Sequence, residues 1–170
     1  MSNKIIHAKN STLLWHNTLS QTQKNMGISM DQEMNQYLIM SIQSNLNKPE
    51  IISTIVSTEL AKLQQTNQGE KIRQLADLCL IFTGLIINEE HFLYRYYTQL
   101  GKDAFLMLVN LYKRQASKLS DYFEHIHDHF DLMQKVLQSI SKKDKEMHES
   151  LNDTDHLNLL SAYYIQKKKA

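Results

Sequence analysis

The chain has 170 residues, 42% hydrophobic and 22% charged, enough for one ordinary core without disulfides and unlike either a disordered or a membrane chain. Its 19 basic and 18 acidic side chains leave a formal net charge of +1, so no global field draws in nucleic acid or anionic lipid. Four glycines and one proline are too few for a turn-rich β architecture, and helix is the economical reading.

Taken in chain order, the pattern predicts a first helix from Thr12 to about Met26, with Leu13, Leu14, Trp15 and Leu19, ended by Gly27 as a left-handed cap. Ser29-Met30-Asp31-Gln32 has the form of a capping box, a hydroxyl three residues ahead of a Gln that can reach back. The second helix follows, its Met34, Tyr37, Leu38, Ser41, Ile42 and Leu46 recurring at the spacing of one helix face. Pro49 opens a third, with Ile52, Ile55, Val56, Leu60 and Leu63 on one stripe, and the polar run Gln64 to Gly69 closes it.

The fourth helix, about Glu70 to Ile87, is apolar nearly all round after Leu75, which places it at the centre of the bundle. A fifth runs from roughly Phe92 to Gln115, with Leu93, Tyr97, Leu100, Ala104, Met107 and Leu111 as its seam. The sixth carries Leu119, Phe123, Ile126, Phe130, Met133, Leu137 and Ile140 in an unbroken three-four alternation, read as one long helix. Beyond Ser141 the charge rises, and a short helix near Leu157 to Ile165 ends in Lys167-Lys168-Lys169. The expected fold is therefore all-α, a single-domain bundle of about six helices over residues 1–140, with a polar, partly extended segment over 141–170.

The lone cysteine, Cys79, suits a reducing compartment, and Met1 to His7 lacks the apolar core of a signal peptide, so a cytoplasmic setting is expected. The longest apolar stretch, Leu75 to Ile87, contains Asp77 and is shorter than the roughly 20 residues that span a bilayer.

Leu75-Ala76-Asp77-Leu78-Cys79-Leu80, then Gly84-Leu85, then Tyr96-Tyr97-Thr98-Gln99-Leu100-Gly101-Lys102-Asp103-Ala104-Phe105, resembles a family of all-helical proteobacterial proteins without an assigned activity. The similarity covers about Ile72 to Ile140. Ala76 stands where the family has glycine, and Phe105 where tyrosine is commoner. The resemblance implies a helical bacterial protein and supplies no reaction.

Glu124-His125-Ile126-His127-Asp128-His129 is the most chemical-looking segment. Glu124 and His127 have the Glu-x-x-His spacing of di-iron bundles, but with Phe123, Ile126 and Phe130 in the seam Glu124 faces away from it, and no second such motif occurs. His125 and His129 share a face, and Asp121 or Asp128 could add an oxygen, a candidate Zn²⁺ or Ni²⁺ surface site weighed against a solvated His-rich face. Asp77 is costly to bury unpaired; a structural ion pair with Arg73 or Arg95 is the favoured reading and a polar ligand contact the other. Tyr97 is read as seam before pocket lining, and Gly101 as a close helix crossing. Cys79 has the setting of a core thiol, and the terminal lysines that of a solvated tail.

These residues favour a non-enzymatic protein-interaction or regulatory module with a protein partner or self-association, no cofactor, no nucleic acid and no membrane span. The alternative is a small-molecule or metal-binding bundle whose pocket lies between the Leu75–Ile87 and Leu93–Leu111 helices, with Asp77, Tyr97, Gly101 and His127 as contacts.

Overall fold

The structure is a computed structural model that describes residues 2–45 and 68–150, with side chains described for 11–45, 68–144 and 146. Among these residues the chain forms six α-helices and no strand. They are α1 (Ser2–Met26), α2 (Gln32–Asn45), α3 (Gly69–Ile81), α4 (Tyr94–Arg114), α5 (Leu119–Asp128) and α6 (Phe130–Ser150), with a single π-helical turn, Phe82–Ile86, continuing α3. The helix expected from Pro49 and the terminal one near Leu157 lie outside the described residues. None of the described helices is long and apolar enough to cross a membrane.

α1 ends as its sequence dictates. Gly27 takes φ +67°, and the Ile28 amide reaches back to the Gln23 carbonyl at 3.0 Å, the six-to-one bond of a Schellman cap. Gln23 then pins the turn, its side chain accepting from the Met30 amide and donating to Asn35 Oδ1. The expected Ser29–Gln32 capping box is not the cap used. The Asp31 carboxylate accepts from the Met34 amide at 2.9 Å, because α2 starts two residues later than a Ser29 cap requires. Of the α1 residues named above, Trp15 and Leu19 are buried, while Leu13 and Leu14 face solvent.

α3 is the centre. Leu75 to Ile81 are buried without interruption, and α3 packs against α2, α4 and α6. α4 buries a wider face than its heptad seam: Phe105, Leu108 and Val109 join Leu100, Ala104 and Leu111, while Met107 and Tyr97 pack at the edge. The width follows from its position between α3 and α5, with Phe105 edge-on to both Tyr37 and Phe130.

The long sixth helix is broken. α5 closes at Asp128, His129 takes the turn with φ −106° and ψ 15°, and α6 opens at Phe130. Phe123, Ile126, Phe130, Met133, Leu137 and Ile140 are nonetheless all buried, so the alternation predicted burial correctly and continuity wrongly. The seam faces the bundle, and only Leu119 at its start is exposed. α6 runs past Ile140 to Ser150 with Ser141 and Asp144 still buried, so one helix bridges the expected boundary between bundle and extension.

Candidate functional site

Asp77 is 5% exposed and faces α2, where it accepts from the Tyr37 hydroxyl. Arg73, one turn earlier, supplies the charge, with Nε 3.8 Å from Oδ2 and its guanidinium 5.7 Å from the centre of the Tyr37 ring. The buried Ser41 hydroxyl lies beside the pair, close enough to favour both ionised forms, without a hydrogen bond of sound geometry. Burial pushes the Asp77 carboxyl up to about 6, against the opposing pull of Tyr37 and Arg73. Burial and the neighbouring carboxylate hold the Tyr37 hydroxyl well above the ordinary phenol range. Rings of Phe105, Tyr122 and Phe123 close around Tyr37, and the node joins α2 to α3.

The structure does not bring Asp77 together with Tyr97 and Gly101. Residues two apart on a helix point to nearly opposite sides. Cys79 faces α4, where a side chain on Gly101 would meet its Cβ at 2.9 Å and the Phe130 ring at 3.0 Å, so Asp77 faces away. Gly101 is thus the close crossing its sequence position suggested. Tyr97 packs edge-on against Phe82 and Tyr96, its hydroxyl raised by partial burial. Burial also pushes the Cys79 thiol up to about 12, far from a nucleophilic thiolate.

The histidine face is laid out in pairs. His125 Nε2 lies 2.5 Å from Asp31 Oδ2, so the residue that caps α2 also ties it to α5. The hydrogen bond from the Met34 amide, helped by His125, holds the Asp31 carboxyl below its ordinary value against the opposing effect of burial. His129 Nδ1 donates to the His125 carbonyl, Asp128 pairs with His127, and Glu124 with Lys113 of α4. Asp121 is exposed one turn before His125. Among the described residues no three His, Cys, Asp or Glu side chains are grouped so as to hold a metal ion.

The region that sequence reading passed over lies where α3 ends. In the π-turn the Ile87 amide bonds to the Phe82 carbonyl, five residues back. Such a shift disturbs the regular ladder, and polar side chains meet the displaced groups. Thr83 donates to the Cys79 carbonyl, Gln134 reaches both Thr83 and Thr98, and Ser141 donates to the Leu85 carbonyl. Gln138 donates to the Tyr94 hydroxyl at 2.9 Å. Beside this network is a half-open cleft of about 190 Å³, with Asn88, Glu89 and Glu90 on one side and Ser141 and Lys142 on the other.

The chain then turns into α4 and leaves two large aromatics in solvent. Phe92 is 84% exposed, with the His91 ring stacked on it, and Tyr96 is 50% exposed. Tyr96, Tyr97 and Phe82 form a continuous edge-to-face series running from this corner toward the core. Glu89 and Glu90 are exposed and have no ion pair among the described residues, Lys142 included. The corner thus offers flat apolar rings beside two carboxylates that are unpaired among the described residues, an arrangement suited to holding a partner. The sequence offers only the aromatic residues themselves, not their exposure, and a Phe-Leu-Tyr run reads equally well as helix seam.

No protein-family model, curated protein or solved structure was found to match the chain. The likeness of Ile72 to Ile140 to the helical proteobacterial family therefore stands on its quoted residues alone.

Proposed function

We propose that this protein is an interaction or regulatory module that works through protein contacts in the cytoplasm, and that the Asn88–Tyr96 corner is its contact surface. The observation that carries the reading is Phe92. Transferring such a ring out of water is worth about 2–3 kcal/mol, yet here it is held in solvent beside a half-exposed Tyr96. Aromatic side chains are enriched at protein interfaces and supply much of their energy. The buried Cys79 supports the reducing setting.

The test compares the full chain with a Phe92→Ser/Tyr96→Ser variant in pull-downs from the native cell, with light scattering for self-association. Both positions are exposed, so the variant is expected to keep the wild-type helical circular dichroism. A partner or second copy retained by the wild type and lost by the variant supports the reading. A chain that stays monomeric at all accessible concentrations and retains nothing, or retains the same partner with and without the two rings, overturns it.

A further inference from the structure

A segment that fits this corner must bring an apolar group to Phe92 and Tyr96 and positive charge to Glu89 and Glu90, because those carboxylates are unpaired among the described residues. The chain has a stretch of that chemistry outside the described residues, Tyr163-Tyr164-Ile165-Gln166-Lys167-Lys168-Lys169, the one place where three lysines occur in succession. We infer that this stretch docks on the corner of its own molecule, tyrosines and isoleucine against the rings and lysines against the acids, and so competes with a partner for the surface. The inference rests on the reading of that corner as a contact surface.

Reach and tethering favour the same molecule. Lys142 of α6 lines the cleft, and Ser150, the last described residue of α6, lies about 12 Å further along its axis. The residues from Ser150 to Tyr163 can span roughly 43 Å, more than enough to return over that distance. A tether of this length holds the segment at an effective concentration in the millimolar range. Contacts too weak to join two molecules then form within one. Exposed ion pairs are individually weak and screened by salt, so the rings give the contact its persistence and the lysines its register.

Zero-length carbodiimide cross-linking of the full chain, followed by peptide mapping, tests this directly. Links from Lys167, Lys168 or Lys169 to Glu89 or Glu90 are expected to exceed links to the exposed Glu33 and Asp103 at least fivefold. Phe92→Ser/Tyr96→Ser, which keeps both carboxylates, is expected to bring them down to that background. In an equal mixture of light and ¹⁵N-labelled protein the links should join peptides of one isotope. An even spread over all exposed acids, links unchanged without the two rings, or hybrid light–heavy links each overturn the inference. If the links fail while the same variant still loses its partner in the pull-down, the tail inference falls and the contact surface stands. If the links appear but no partner depends on the rings, the contact-surface reading is the one that fails.

Discussion

At Asp77 the chain holds a carboxylate in its driest layer, and the consequence appears in how stability depends on pH. Its carboxyl rises from the usual 3.8 to about 6 because burial outweighs the help of Tyr37 and Arg73. Between those values the folded protein keeps a proton that the unfolded chain has released, so neutral Asp77 favours folding there. That contribution is whole below about pH 3.8 and is lost as pH rises through 6. Asp77→Asn removes the titration but keeps the shape. The unfolding free energy of the wild type should therefore fall by about 2 kcal/mol more than that of the variant between pH 4 and pH 8. Urea denaturation at a series of pH values measures both curves, and parallel curves would mean that Asp77 ionises freely in the folded state. The sequence shows that this acid is out of place and offers Arg73 or Arg95 as its ion partner, of which the structure pairs it with Arg73. It did not show Tyr37, because a hydrogen bond between residues so far apart in the chain leaves no local spacing, and Tyr37 had been spent as an apolar residue of the α2 face.

Among the helix crossings that glycine permits, the one at Gly84 is the most demanding. In an ordinary helix Gly→Ala gains about 1 kcal/mol through chain entropy. Here the new Cβ lies 2.6 Å from Leu137 Cβ and 2.8 Å from its Cδ1, and a Cβ moves only if the α6 backbone moves with it. Overpacking of this kind costs about 1–3 kcal/mol, so the clash outweighs the entropic gain. Gly84→Ala should melt below the wild type in thermal unfolding followed by circular dichroism; a melt at or above it would place α6 further from the π-turn than the structure does. Periodicity made the helices legible but not their irregularities. Leu75 to Ile81 read as covered on all sides, and they are. The π-turn could not be read, since it shifts backbone hydrogen bonds by one residue while leaving the apolar run intact. Nor could the break at His129, because Ile126, Phe130 and Met133 stay buried across it and the alternation passes through unchanged. Asp31 was legible only as a residue inside an expected capping box. Its second bond, to His125 on α5, depends on how the helices are packed.

Across the whole molecule the layers are unequal, and the inequality predicts where the fold opens first. α3 touches α2, α4 and α6, and its most extensive contact is with α4. α5 is shorter, leans chiefly on α4, and presents Leu119, Glu124 and Asp128 to solvent. Local opening has a free energy set by the apolar contacts it breaks, so elements covered on every side exchange their amide protons only when the entire chain unfolds. Native-state hydrogen exchange should therefore find its slowest amides in Leu75 to Ile81 and in the Leu100 to Leu108 stretch of α4 that faces them. The rise of their exchange rates with denaturant should match the slope of global unfolding. Amides of α5 should exchange by smaller openings that depend little on denaturant, because freeing that helix leaves the α3–α4 contact standing. If the α3 amides instead exchanged through openings smaller than those of α5, the central position of α3 would be lost. With it would go the rigid platform that holds the π-turn, Phe92 and the carboxylates at a fixed corner.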